Sequence, residues 1–368
     1  MMRFTTEQNF ILSFLRYSLG HEHYENTIRM ISKSLDWEEV AVMASHHGIS
    51  SILYDSLQRN KQLQVPQHIE DQLAKEYIAN LSMSLFYERA LKAIILHFTQ
   101  KGLRFALHKG LGLSALLYPK LGLRSCGGDF DILIRKKDYP KAKAMLGEIG
   151  YKLFDYRFEQ HEMTYIGEVK FIKYTSATDL VVDLHTDFIA NHWGKVYAFD
   201  MPDFWGKLLQ VKYNDFFIPH LPVEAYLFFL SIHCAANHIF GTLKTFCDID
   251  LFIRKFIGKI DWEHITSIAK MKGARKTLYH ALNYCKTLLG TPVPSNFLKE
   301  VKPSLLSICL MPTGRLLLTN RKSPKYLERY IHIILLDNPF NIFKSVFIFI
   351  RRIVDEILIN VKHGNSSP

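Results

Sequence analysis

The chain has 368 residues, 48% of them apolar and 22% charged, and carries a formal net charge of +11. That length gives room for two or three domains with sizeable cores, and the balance excludes a disordered or fibrous chain. No apolar run approaches the roughly 18 residues of a membrane-spanning helix.

Cys126, Cys234, Cys247, Cys285 and Cys309 are scattered, without a C-x-x-C pair. A zinc cage is not expected, and the chain reads as a reduced, cytoplasmic protein with mostly buried thiols. The early run NFILSFL is short, is followed by Arg16, and lacks a basic start and a small-residue cleavage site, which speaks against export. Charge is uneven. Residues 1–100 hold 9 Lys/Arg against 11 Asp/Glu, whereas residues 251–368 hold 19 against 7. A surface of that kind suits a polyanion or a solvated basic face.

Residues 1–100 read as helical. Asp36 caps a segment that runs from Trp37 to Leu57 with a break near Gly48, and Ile69 to Thr99 keeps helical spacing without Gly or Pro. His46 and His47 are adjacent, so they diverge by about 100° on a helix and do not share a metal. The stretch RFALHKGLGLSALLYPKLGLRSCGGDFDILI follows (residues 104–134). It reads as a strand, a Lys-Gly turn, a short helix over Leu111–Tyr118, a Pro/Gly loop and a second strand. Alternation puts Asp129 and Asp131 on one face of that strand, with Phe130 and Ile132 on the other. Two acids aimed the same way repel unless a cation lies between them or one takes a proton.

A helix over Tyr139–Ile149 stops at Gly150, and four strand-like segments come next: YKLFDYR, EMTYIGEV, FIKYTS and DLVVDLHTDF. In the last, Asp183 and His185 share a face. Residues 201–337 read as helices. His233 and His238 are five apart, about 500° around an α-helix, and so fall on different stripes. The end of the chain is amphipathic: Phe343, Val346, Phe347, Ile350, Ile353, Val354, Ile357 and Val361 trace one helical face. Such a helix covers a core, forms a dimer or makes peripheral membrane contact through residues 341–361.

The ordered set Lys109-Gly110, Tyr118-Pro119, Leu123-Arg124 and Asp129-Phe130-Asp131, with VVDLH further on, resembles the bacterial uncharacterised nucleotidyltransferase family of the DNA polymerase β-like superfamily. The likeness spans most of residues 35–255. It implies an α+β fold with a polymerase β-like mixed sheet, flanked by N- and C-terminal helical regions. The expected division is a helical region over 1–100, a nucleotidyltransferase core over 101–205 and a basic helical region over 206–368. It also implies the site. Asp129, Asp131 and Asp183 would be catalytic and would hold two Mg²⁺ ions, with Mn²⁺ as a substitute; Asp179 and Asp187 compete with Asp183. Lys109, Gly110, Arg124 and Lys244 would bind the NTP, although relatives often have Arg-Leu where this chain has Leu243-Lys244. His185 and His233 are the candidates for the acceptor side. The implied reaction moves an NMP group from an NTP to a hydroxyl or similar group, on a small molecule or a modified peptide. A protein or tRNA acceptor and a non-catalytic nucleotide- or partner-binding module are the alternatives.

Overall fold

The computed structural model describes residues 4–20, 35–60, 63–188, 204–311, 318, 325–338 and 340–363. In chain order the helices α1 (Thr6–Ser18), α2 (Trp37–His46), α3 (Ser50–Arg59) and α4 (Gln67–Gln100) lead into β1 (Phe105–Leu107), α5 (Gly110–Leu117) and β2 (Asp129–Ile134). Then come α6 (Tyr139–Glu148), β3 (Lys152–Leu153), α7 (Glu159–Tyr165), β4 (Glu168–Lys173), β5 (Leu180–His185), β6 (Leu209–Tyr213) and β7 (Phe216–His220). The rest is helical: α8 (Val223–Ile232), α9 (Leu243–Lys255), α10 (Trp262–Lys272), α11 (Arg275–Leu289), α12 (Ser295–Glu300), α13 (Leu305–Leu310), α14 (Lys325–Leu335) and α15 (Phe340–His363). No described helix is long and apolar enough to cross a membrane.

The fold is α+β with one mixed sheet, in strand order β3-β4-β5-β2-β1-β7-β6. The chain divides into two compact units. One comprises residues 1–85, 114–126 and 227–335; the other comprises 86–113, 127–226 and 336–368 and contains the whole sheet.

The first unit is helical. Thr5 and Gln8 form a reciprocal capping box at the start of α1, and the Asp36 carboxylate accepts from the Glu39 N–H at the start of α2. Gly48, at φ +67°, makes the break between α2 and α3. Phe10, Phe14, Phe228, Phe246, Phe252 and Leu278 are fully buried there.

In the sheet unit, β2 pairs in parallel with β5, and β1 in parallel with β7; the other pairs are antiparallel. Phe130, Ile132, Val169, Phe171, Val182 and Leu184 form one face, none more than 3% exposed. Each such side chain contributes about 1.5–3 kcal/mol by leaving water. That buried face fixes the register, because a one-residue slip would turn every apolar side chain to the wrong side.

Two readings of the sequence are corrected. EMTYIGEV is not a strand. Its first part is α7, whose His161 and Tyr165 are buried one helical turn apart, and Gly167 at φ +78° ends the segment. Glu168 and Val169 then open β4, so the strand is EVKFIK. Residues 201–337 are not all helical either. LQVKY and FFIPH form a hairpin about Asn214, at φ +52°, and β7 adds to the sheet beside β1. The hairpin brackets only two residues of turn, a short-range signal that the long apolar helices following it mask.

Candidate active site

The polar face of the sheet is assembled by register. Asp131 on β2 lies directly opposite Asp183 on β5, Lys170 on β4 lies opposite Asp183, and Glu168 lies opposite His185. With period 2, Asp129, Asp131, Asp183, His185, Glu168 and Lys170 all stand on one side of three adjacent strands. His108 and Lys109, in the turn after β1, join them. Lys109 Nζ donates to Asp131 Oδ1 at 2.6 Å, and His185 Nε2 stands 3.0 Å from the same oxygen. His185 Nδ1 is 3.6 Å from Glu168 Oε2, and the His108 and His185 rings meet edge to face with centroids 4.7 Å apart.

Two glycines let the chain close around Asp129. Gly110 has φ +54°, and a Cβ there would stand 3.4 Å from the Asp129 carbonyl oxygen. At Gly127 a Cβ would lie 2.7 Å from Asp129 Oδ1, so only glycine lets that loop pass the carboxylate undisturbed.

Charge in this cluster is divided unequally. Burial works against the Asp131 carboxylate, yet Lys109 and then His185 hold it well below the usual carboxylate range. Burial likewise works against the Lys109 ammonium, and Asp131 more than compensates, keeping it charged. Asp129 is pushed up by burial and by Asp131. Asp183 rises to about 7 through burial and the negative charge of Glu168. Glu162, in the middle of α7, also rises to about 7, by burial and again by Glu168. His108 is driven well below its ordinary value by burial, then by His185 and Lys109.

The carboxylates outnumber the cations that serve them. Asp183 Oδ1 is buried and accepts no hydrogen bond, with Lys170 Nζ 3.5 Å away. An orphaned buried carboxylate oxygen beside two further acids fits a hard divalent cation, which takes oxygen ligands. The ligand atoms of His108, Asp131 and His185 also lie within 4.8 Å of one another, a second grouping able to hold a metal.

A family model described as an uncharacterised nucleotidyltransferase matches residues 33–290. The chain belongs to that family. Its chemistry is therefore nucleotidyl transfer, and the paired-acid strand, the Lys-Gly turn and β5 all lie within the matched residues. No curated protein matches the chain.

Of the remaining candidates of this nucleotidyltransferase, Arg124 and Lys244 belong to the helical unit and Asp179 and Asp187 to the sheet unit. Arg124 lies in the helical unit, where its Nε is 2.8 Å from Asp248 Oδ1 and its Nη2 is 2.9 Å from Asp248 Oδ2. Tyr118 Oη donates to the same carboxylate at 2.9 Å. Tyr118-Pro119 and Leu123-Arg124, two of the pairs that carry the family likeness, thus meet at one buried acid. Burial opposes the Arg124 charge, and Asp248 holds it in place. Lys244, at the start of α9 in the same unit, donates to Ser125 Oγ at 3.2 Å. Asp179 is exposed ahead of β5, and Asp187 follows it with its N–H bonded to the Gly167 carbonyl at 3.1 Å.

His233 and His238 correct the sequence reading. Their Nε2 atoms are 3.0 Å apart. The residues His233–Asn237 form a π turn, in which the His238 N–H bonds the His233 carbonyl at 3.2 Å. A π turn closes at i+5 instead of i+4, so side chains five apart come onto one stripe. Ile239 and Phe240, at φ +49° and +60°, then bend the chain out of the helix. Sequence reasoning also missed Glu162, Glu168 and His108. Glu168 was split from its strand by the misread EMTYIGEV segment, and His108 reads only as the last residue of RFALH.

Proposed function

We propose that Asp129, Asp131 and Asp183 form the transfer site of a Mg²⁺-dependent nucleotidyltransferase that moves an NMP group from an NTP to an acceptor hydroxyl. The observation that carries this is the facing pair Asp131 and Asp183 on parallel strands, with Asp129 one step along the same face. Three buried or half-buried acids on one sheet face are electrostatically costly unless cations offset them. Bound there, Mg²⁺ would stabilise the negative charge that builds on the α-phosphate oxygens and the leaving pyrophosphate.

The chain's own groups divide the other tasks. Asp183, facing Asp131 across the parallel strands, stands where it would take the acceptor's proton as the acceptor oxygen bonds to the α-phosphorus. The bond from that phosphorus to the bridging oxygen breaks, and pyrophosphate departs with the electron pair. Gly110 opens α5, where backbone N–H groups and the helix dipole favour a phosphate. Lys109, now on Asp131, supplies a cation beside that turn. His185 holds Asp131 in place and stands on the acceptor side. Arg124 is left out of the phosphate contacts, because its Nε and Nη2 serve Asp248.

Mn²⁺, which shares the oxygen-ligand preference of Mg²⁺, is the alternative ion for the same acids. A small molecule or modified peptide is the favoured acceptor class. The test is calorimetric titration with each of the four NTPs, with Mg²⁺, with Mn²⁺ and without either, on the native protein and on Asp129→Ala/Asp131→Ala. Metal-dependent binding lost in the double variant supports the reading. Absence of NTP binding with both ions defeats it.

A further inference from the structure

The helix α15 is turned the unexpected way round. Its contacts within the sheet unit are made by the side that carries its acids. Tyr165 Oη donates to an Asp355 carboxylate oxygen, His161 Nε2 stands 3.1 Å from the Arg352 carbonyl, and Ile348 packs on Tyr165 and Ile166. The opposite side is apolar and open. Phe343, Phe347 and Val361 are 74%, 66% and 75% exposed, and Val346, Ile350, Val354, Ile357 and Leu358 are exposed with them. At 100° per residue these side chains fill one sector of about 120°. From Phe343 to Val361 the sector runs roughly 27 Å along the helix.

Charge decides what fits it. Lys344, Arg351 and Lys362 are exposed and fall together along one edge of the apolar sector. No acid lies within the sector, since Asp355 and Glu356 are on the docked side. An antiparallel two-fold pair of these helices would bring like basic edges together, and a parallel pair would set each basic edge beside Val346 and Ile353, so in neither does the basic edge meet an exposed acid. Phospholipid headgroups answer them directly: acyl chains take the apolar sector, and phosphates take the basic edge as the long side chains reach outward.

We infer that α15 lies flat in the surface of an anionic lipid bilayer and holds the protein there. The apolar sector supplies the insertion, and Lys344, Arg351 and Lys362 supply the preference for anionic lipid.

The test is co-sedimentation of the full chain with phosphatidylcholine vesicles, with and without phosphatidylserine. The protein is expected to partition at least about tenfold better onto the phosphatidylserine vesicles, with about a fivefold loss for each of Lys344→Gln and Arg351→Gln. Phe347→Glu/Ile350→Glu is expected to abolish binding. All four positions are exposed; Arg351 also lies against the Tyr165 hydroxyl, so unfolding of Arg351→Gln is measured beside its vesicle binding, and a loss of binding at unchanged stability is the expected result. Equal partition onto both vesicle types, or none onto either, overturns the inference. So does a dimer in light scattering that Phe347→Glu converts to monomer while vesicle binding is absent; a second copy would then be the occupant.

Discussion

The buried carboxylates Asp248 and Asp131, one in each unit, both meet a cation, and they differ in how completely they are satisfied. Asp248 in the helical unit takes a two-pronged guanidinium from Arg124 and a hydroxyl from Tyr118. Asp131 in the sheet unit takes Lys109 and His185 on a single oxygen, and its neighbour across the strands, Asp183, keeps a buried oxygen with no hydrogen bond. The first arrangement is closed and holds loop to helix. The second has surplus negative charge and a displaceable ammonium, which is what a site awaiting metal and triphosphate needs. Planar guanidinium locks a carboxylate at two points, whereas a lysine offers a point charge on a flexible stem.

The widest separation of the two should come from removing each acid. Asp248→Ala strands the Arg124 charge in the interior and is expected to cost about 3–5 kcal/mol in urea unfolding of the helical unit. Asp183→Asn should behave oppositely. Asp183 has its folded pKa raised from 3.8 to about 7, so the stability tied to its proton is complete below about 4 and is lost as pH rises through 7. The asparagine variant, without metal, is therefore expected to be more stable than the native protein by about 2–4 kcal/mol at pH 8.5 and by little at pH 4.5. It should meanwhile lose about a hundredfold or more in transfer rate. Equal stability of the two proteins across that range would contradict the picture of unrelieved repulsion.

Acid distinguishes the units a second way. His47 and His280 are buried in the helical unit, and both are lowered to about 4, His47 by burial and then His46, His280 by burial and then Lys276. Their folded values lie below the unfolded 6.5, so the unfolded chain binds more protons between about 6.5 and 4 and stability falls as pH falls through that window. Fully buried His47 accounts for up to roughly 3 kcal/mol of this. Burial lowers His108 in the sheet unit as well, but Asp183 and Glu162, both raised to about 7, gain stability over the same fall in pH. Hydrogen exchange at pH 5 against pH 7 is therefore expected to show loosened amides in α2 and α11 and a smaller change in β2 and β5.

The smallest effect concerns the turn before α5. Gly110→Ala puts a Cβ into a left-handed backbone, at 3.4 Å from the Asp129 carbonyl. A stability loss of about 1 kcal/mol is expected, with weaker NTP binding in the same variant. Gly147→Ala, where a Cβ meets nothing within 4 Å, is the matched control and should cost nothing.

Much of the site was legible because a strand's period is local. Two-residue alternation puts Asp129 with Asp131, and Asp183 with His185, before any pairing is known. What alternation cannot give is which strand lies beside which. The Asp131–Asp183 register, Glu168 at His185 and Lys170 at Asp183 arise from pairings across the chain, set by burial on the far face. Arg124 and Asp248 lie 124 positions apart, and nothing near either one names its partner. The His233–His238 contact was hidden for another reason: a single π turn replaces the helical period on which the reading relied.

The most direct measurement is a Mn²⁺ titration followed by electron paramagnetic resonance, with NTP present, on the native protein, Asp129→Asn/Asp131→Asn and Lys244→Gln. NTP-dependent Mn²⁺ is expected on the native protein and on Lys244→Gln, and none on the double variant. Undiminished Mn²⁺ binding in the double variant would contradict that expectation, because the metal would then be held away from the paired acids of β2.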